Sequence, residues 1–232
     1  MPKTVAALFV ASRGAYIDLP GVDPWDIRRD ARLYQGPYPV VAHPPCTAWC
    51  QLAGLVEKRW GHKKGEDQGC FRAALTAVRT YGGVLEHPAK SAAWKAFGLP
   101  VPRTTGGWTR GECGGYSCYV EQHSYGHAAK KGTWLYVYGT DLPELRWGSS
   151  SKGTALVSYC RNHVAKDESR PSLTKKQAKA TPPEFRDMLL SLARSVPSTQ
   201  ESLKAPAPYH PTAEYRLGGF REISFRCTAA SL

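Results

Sequence analysis

The dipeptide Pro44-Pro45 constrains this chain more than any other feature. Neither proline has an amide hydrogen to give to a sheet ladder, so the apolar run Pro39-Val40-Val41-Ala42 must end there as a short strand. Cys46 follows at once, and the turn carries its thiol out of the strand end. The runs Thr4-Val5-Ala6-Ala7-Leu8-Phe9-Val10-Ala11 and Gly83-Val84-Leu85 have the same character. Both are short and apolar, and both are closed sharply, by Ser12-Arg13-Gly14 and by Glu86-His87-Pro88. Between the second and third runs Phe71, Ala74, Leu75 and Val78 recur at i, i+3, i+4 and i+7, the pattern of a helix docked by one face. Short buried strands alternating with helices predict an α/β fold with a compact, mainly parallel sheet. In such a sheet the ligand lies beyond the carboxyl ends of the strands, where Cys46 and Glu86 both fall.

The remaining segments fill in that frame. Residues 20–26 read as a loop and residues 27–33 as a short helix. Residues 47–66 form a long basic loop, a length typical of functional lids. Residues 91–97 read as a helix closed by Gly98, and residues 116–122 and 133–138 as strands rich in aromatic and β-branched side chains. Residues 149–180 are a basic surface segment. Thr181 and Glu184 form a capping box for a helix over 181–196, whose stripe Phe185, Met188, Leu189, Leu192 and Ala193 docks on the core. Residues 1–196 are therefore read as one domain. Residues 197–232 form a Pro/Ser-rich extension with one strand at 222–226.

The chain carries 31 Lys and Arg against 19 Asp and Glu, a formal charge of +12, which suits a polyanionic partner, with DNA the usual one. The basic residues cluster: Lys58, Arg59, His62, Lys63 and Lys64 follow the cysteine turn, with Trp49 and Trp60 interleaved, and Lys130-Lys131 precedes a strand. Aromatic rings among cations suit contact with both bases and phosphates. No window approaches the roughly 18 apolar residues of a membrane span, so a soluble, cytoplasmic protein is expected. The seven irregularly spaced cysteines point away from a disulfide framework.

Three motifs in order carry a resemblance. Ala42-His43-Pro44-Pro45-Cys46-Thr47 is similar to the Pro-Cys motif of DNA cytosine-5 methyltransferases. Leu85-Glu86-His87-Pro88 resembles their Glu-Asn-Val motif. Tyr125-Gly126, then Lys131 and the strand Thr133-Trp134-Leu135-Tyr136, resembles their Tyr-Gly…Arg-x-Arg motif. The similarity is greatest to short, methyltransferase-like proteins of phages and prophages, which share His-Pro-Pro-Cys-Thr and a later Leu-Pro-x-Leu, here Leu142-Pro143-Glu144-Leu145; it covers residues 39–148.

The resemblance implies a Rossmann-like methyltransferase sheet with a shortened amino-terminal half. It implies Cys46 as the nucleophile on C6 of a flipped-out pyrimidine, Glu86 as the acid that recognises the base, and Lys131 in place of the first arginine. Thr133 stands where the second arginine would be. His43, Pro45, His87, Tyr125, Gly126 and Lys130 flank these positions as substrate contacts. S-adenosylmethionine is implied at a turn after the first strand and an acidic residue after the second, which here means Phe9, Gly14, Asp23 and Asp26. Only Gly14 remains of the usual run of glycines.

Other readings stand beside this one. Cys46 is also the kind of residue that is simply buried. Cys113, Cys118, His123 and His127 have zinc-ligand types at an untypical spacing, and His43, Cys46 and Cys50 are a weaker metal set; no metal is expected from the main reading. A non-catalytic nucleic-acid-binding protein on a degenerate methyltransferase scaffold, and an enzyme acting on free nucleotides, are the alternatives to a DNA-modifying enzyme.

Overall fold

A computed structural model describes residues 4–61, 63–148, 151–157 and 169–197. Seven strands form one sheet: β1 (Val5–Leu8), β2 (Val22–Trp25), β3 (Val40–Ala42), β4 (Gly83–Pro88), β5 (Thr109–Arg110), β6 (Tyr116–Glu121) and β7 (Gly132–Tyr138), in the order β2-β1-β3-β4-β7-β6-β5. The first four are mutually parallel. From β4 onward every pairing is antiparallel, so the expected parallel sheet is its amino-terminal half and an antiparallel half completes it.

Two helices cover its faces. α2 (Cys70–Tyr81) packs Phe71, Ala74, Leu75 and Val78 against Ala6, Leu8, Val40, Ala42 and Leu85. α5 (Pro183–Arg194) packs Phe185, Leu189 and Leu192 against Val5, Ala7, Val41, Val84 and Leu135. Successive residues of β1, β3 and β4 thus serve opposite faces. This is why their runs are apolar throughout and not alternating. Gly83, at φ 124°, lies so close to the Val40 backbone that a Cβ there would stand 2.0 Å from the Val40 carbonyl oxygen. Only glycine lets β4 come alongside β3 at that point.

Several segments differ from the sequence reading. Residues 20–26 contain the edge strand β2; a proline inside it is tolerated because an edge strand has one unpaired side. The helix expected over 27–33 is a single 3-10 turn at Ala31–Leu33. The basic loop 47–66 contains α1 (Ala53–Trp60). The described part of 149–180 holds β8 (Leu156–Val157), paired in parallel with β9 (Ser172–Leu173), and α4 (Lys175–Lys179), whose capping box is Thr174 with Gln177. The box expected at Thr181 is absent: Pro182 is the N-cap of α5, and Glu184 pairs with Arg146. α3 (Ala92–Ala96) starts where expected, capped by Ser91. The expected extension beyond Pro197, with its strand at 222–226, lies outside the described residues. Among the described residues no helix is long and apolar enough to cross a membrane.

Candidate active site

Chain direction creates the site. After β1 the chain moves outward to β2, then returns to lay β3 on the other side of β1. The reversal opens a crevice at the carboxyl ends of β1 and β3, the place where open α/β sheets hold ligands. The His43 amide continues the ladder to the Leu8 carbonyl at 3.0 Å, and Pro44-Pro45 then stops it. Next comes a tight turn in which the Cys46 carbonyl accepts from the amides of Trp49 and Cys50. Cys46 is a free, half-buried thiol. Because β7 runs antiparallel to β4, with Glu86 opposite Leu135, the start of β7 and the preceding Lys131 fall at the carboxyl end of β4.

Glu86 is the hub. Its side chain is 13% exposed and that of His43 15%. One carboxylate oxygen lies 3.0 Å from His43 Nδ1, and His43 Nε2 lies 2.8 Å from the hydroxyl of buried Tyr16. The other oxygen accepts from Gln122 Nε2 at 3.2 Å. The same Gln122 nitrogen donates to Thr133 Oγ1 at 3.0 Å, and the Thr133 hydroxyl donates to the Lys131 carbonyl. Burial pushes the Glu86 carboxyl upward. The hydrogen bond from His43 leads the opposing effects, with Lys131 adding to it, and the carboxyl is held below its usual value. The Cys46 thiol moves the other way: burial, Cys50 and Glu86 raise it, and Lys131 only partly opposes them. At neutral pH the site therefore rests as a protonated thiol beside an ionised carboxylate.

Of the residues singled out by sequence, Cys46, Glu86, Lys131 and His43 come together, with Pro45 exposed on the turn. Others do not join them. Trp49 is buried against Phe71 and Phe97 and donates to Asp67, so it is not a free stacking platform. His87 points to the opposite face of the sheet from Glu86, against Phe71 and Trp94, and bonds Ser91. Tyr125 is buried on Phe185, and its hydroxyl accepts from the Arg146 amide; Gly126, at φ 93°, caps the short turn that leads toward Lys131. Lys130 pairs with Glu121 at 3.2 Å. Lys58, Arg59 and Lys64 are exposed around α1, Lys63 pairs with Glu66, and Arg59 lies over the exposed ring of Trp60. His62 lies outside the described residues.

The positions implied for S-adenosylmethionine do not fit that role. Phe9 adopts φ 59° and packs its ring toward the core, and Gly14 closes a tight turn onto Ala11. Asp23 sits inside β2 rather than after it, and its oxygens take donors from Trp25 and Arg29. Asp26 does follow β2, but both its oxygens are held by Arg28, which keeps its pKa down at about 2. Both carboxylates are thus already paired with arginines. The zinc set fails too: Cys113 is disulfide-bonded, Cys118 is sealed in the core, and the His123 and His127 rings bond backbone carbonyls. Among the described residues no three metal-ligating side chains cluster, His43, Cys46 and Cys50 included.

Tyr16 and Gln122 are site residues that sequence reading missed. Tyr16 sits in an irregular stretch with no motif around it. Gln122 had one available signal, its place at the end of β6 beside the start of β7. A groove of about 480 Å³ lined by Trp49, Asp67, Arg72 and Phe97 excludes Cys46 and Glu86. No family model, curated protein or solved structure matches the chain.

Proposed function

We propose that the protein modifies a pyrimidine base in DNA through covalent addition of Cys46 to ring carbon C6, assisted by Glu86. The observation that carries this reading is the placement of a free Cys46 thiol after β3 and of Lys131 before β7 at the strand ends that flank Glu86, whose two carboxylate oxygens are hydrogen-bonded to His43 and Gln122; the directions of the Cys46 and Glu86 shifts add a protonated thiol and an ionised carboxylate. That pair holds one mobile proton, which is what the addition needs. The Sγ–C6 bond forms as the C5–C6 π bond breaks. The electron pair moves through C4 to N3, and the thiol proton ends on N3 by way of Glu86. C5 is then nucleophilic and takes a proton or a carbon electrophile. Loss of the original C5 hydrogen and departure of Sγ restore the ring.

The motif order supports a cytosine C5 methyltransferase as the finer reading. No step is derived through a methyl donor, because the aspartates near β2 are engaged by arginines. DNA as substrate is supported by the charge of +12 and by the exposed Lys58, Arg59, Lys64 and Trp60 just after the cysteine turn. A base inside a duplex would have to be flipped out to reach the thiol.

The test needs no donor. Cytosine in an oligonucleotide, incubated with the protein in deuterated water, should exchange its C5 hydrogen, read by mass spectrometry of the nucleosides. An oligonucleotide carrying 2-pyrimidinone should form an adduct stable to denaturation. Both should vanish in Cys46→Ser. Exchange on mononucleotides but not on DNA would favour the free-nucleotide reading. Absence of exchange and adduct on every substrate would end the covalent reading. Salt-dependent DNA binding that persisted in that case would favour a non-catalytic binder, for which the closed-off aspartates already speak.

A further inference from the structure

We propose that Tyr16 and His43 form a positioning relay for Glu86, with Gln122 bracing its other oxygen. The inference rests on the covalent pyrimidine reading and adds residues that no motif assigns. Its basis is the direction of the hydrogen bonds. Tyr16 is 2% exposed, and burial, with Glu86 nearby, holds its hydroxyl as a phenol, which can donate to His43 Nε2, 2.8 Å away. With Nε2 accepting, the ring proton belongs on Nδ1, which donates to Glu86 at 3.0 Å. A carboxylate oxygen facing Nδ1 calls for a proton on that nitrogen, which in the neutral ring leaves Nε2 to accept. The two ends of the ring agree.

Gln122 shows the same bias. Its Nε2 is shared between Glu86 and Thr133, while its Oε1 is buried without a partner. Turning the amide over would oppose its oxygen to the Glu86 carboxylate. The amide thus leaves one acceptor unpaired to keep a donor on Glu86, a cost normally avoided in a protein interior. Both oxygens of Glu86 are fixed by donors from separate elements, the end of β3 and the end of β6. Its remaining lone pairs are left for the base.

This arrangement predicts a particular pH dependence. The resting pair reacts only while Glu86 is ionised and the thiol protonated, so the acid limb of the exchange rate follows Glu86 and the basic limb follows Cys46. The charged or titratable groups facing Glu86 are His43 and Cys46 beyond β3, Lys131 before β7 and Tyr16 after β1; His87, next in β4, lies on the other face and acts only through its field, and Arg186 and Asp187 of α5 stand behind Tyr16. Without the His43 donor, burial dominates and the carboxyl rises.

The experiment is the pH profile of C5 exchange, with folding checked by thermal melting. His43→Ala should move the acid limb up by about 1–3 pH units. Tyr16→Phe, which removes one hydroxyl and keeps the ring, should move it the same way by less. His43→Asn keeps a donor at the Nδ1 position but loses the Tyr16 partner, and should bring the limb most of the way back. The basic limb should stay in place in all three. The relay is refuted if the folded Ala and Phe variants lose rate equally at every pH with an unmoved limb, or if Asn shifts the limb as far as Ala. Absence of any exchange or adduct in the unsubstituted protein refutes the covalent reading instead, so the two failures are distinguishable.

Discussion

Glu86 and His87 are neighbours in β4, yet they inhabit different chemistries. Strand geometry sends them to opposite faces of the sheet. Glu86 meets donors on the α5 side: His43, Gln122 and, in its field, Lys131. His87 meets rings on the α2 side, with Phe71 and Trp94 centroids at 5.2 and 6.3 Å. Both side chains have lowered pKa values, with opposite meanings. For Glu86 the shift keeps the side chain ionised. For His87, burial pushes the pKa down to about 4 and keeps the ring neutral. Its Nδ1 bonds Ser91, and its Nε2 faces the Pro45 carbonyl without reaching hydrogen-bond geometry. The direction of a shift does not by itself mark a functional group.

Removing the charge on the α5 side should break this contrast most strongly. Glu86→Gln keeps the shape and the bond to His43 but cannot carry the proton to N3. C5 exchange should fall by about 10²–10⁴-fold, with no comparable loss of stability in urea melts. An equal loss in both would mean that Glu86 is only structural.

A second effect separates the faces by pH. The folded protein holds His87 neutral down to about pH 4, whereas an unfolded chain protonates it near 6.5. The unfolded state binds more protons in that window, so stability is present above 6.5 and is lost as pH falls toward 4, by about 3 kcal/mol from this residue. His127, also lowered by burial, adds to the slope. Glu86 acts lower still: its contribution is present above the ordinary carboxylate pKa and goes only as pH falls through its depressed value. Urea melts from pH 7 to pH 4 should show the slope in the unsubstituted protein and a flatter one in His87→Asn.

The smallest effect sharpens the α2 side alone. The Ser91 hydroxyl caps α3 by accepting from the Ala93 amide and also partners His87. Ser91→Ala should cost about 1–2 kcal/mol in melts and leave the pH profile of exchange unmoved. A moved acid limb would show that the two faces are coupled through β4.

The legible parts of the fold were those written in local period. The α2 stripe of Phe71, Ala74, Leu75 and Val78 and the α5 stripe of Phe185, Leu189 and Leu192 are buried as their spacing demands. β2 was not legible, because Val22-Asp23-Pro24-Trp25 has no apolar pattern; pairing with β1 makes it a strand. Nor was the fate of Trp49. A tryptophan among cations looks like a stacking ring until Asp67, on the far side of the basic segment, takes its indole hydrogen.

Sequence by itself determined that Cys46 leaves a buried strand at its carboxyl end, because Pro44-Pro45 stops the ladder; Glu86, expected to close its apolar run, is kept inside β4 by pairing with β7. Tertiary structure decided what surrounds them. Glu86 meets His43 across 43 positions, Gln122 across 36, and His43 meets Tyr16 across 27. No local pattern encodes such distances. They follow from the reversal between β1 and β3 and from the antiparallel return of β7, which bring remote chain ends to one edge of the sheet. The charge state of the site is decided there too, since it depends on burial and on neighbours that only the folded chain supplies.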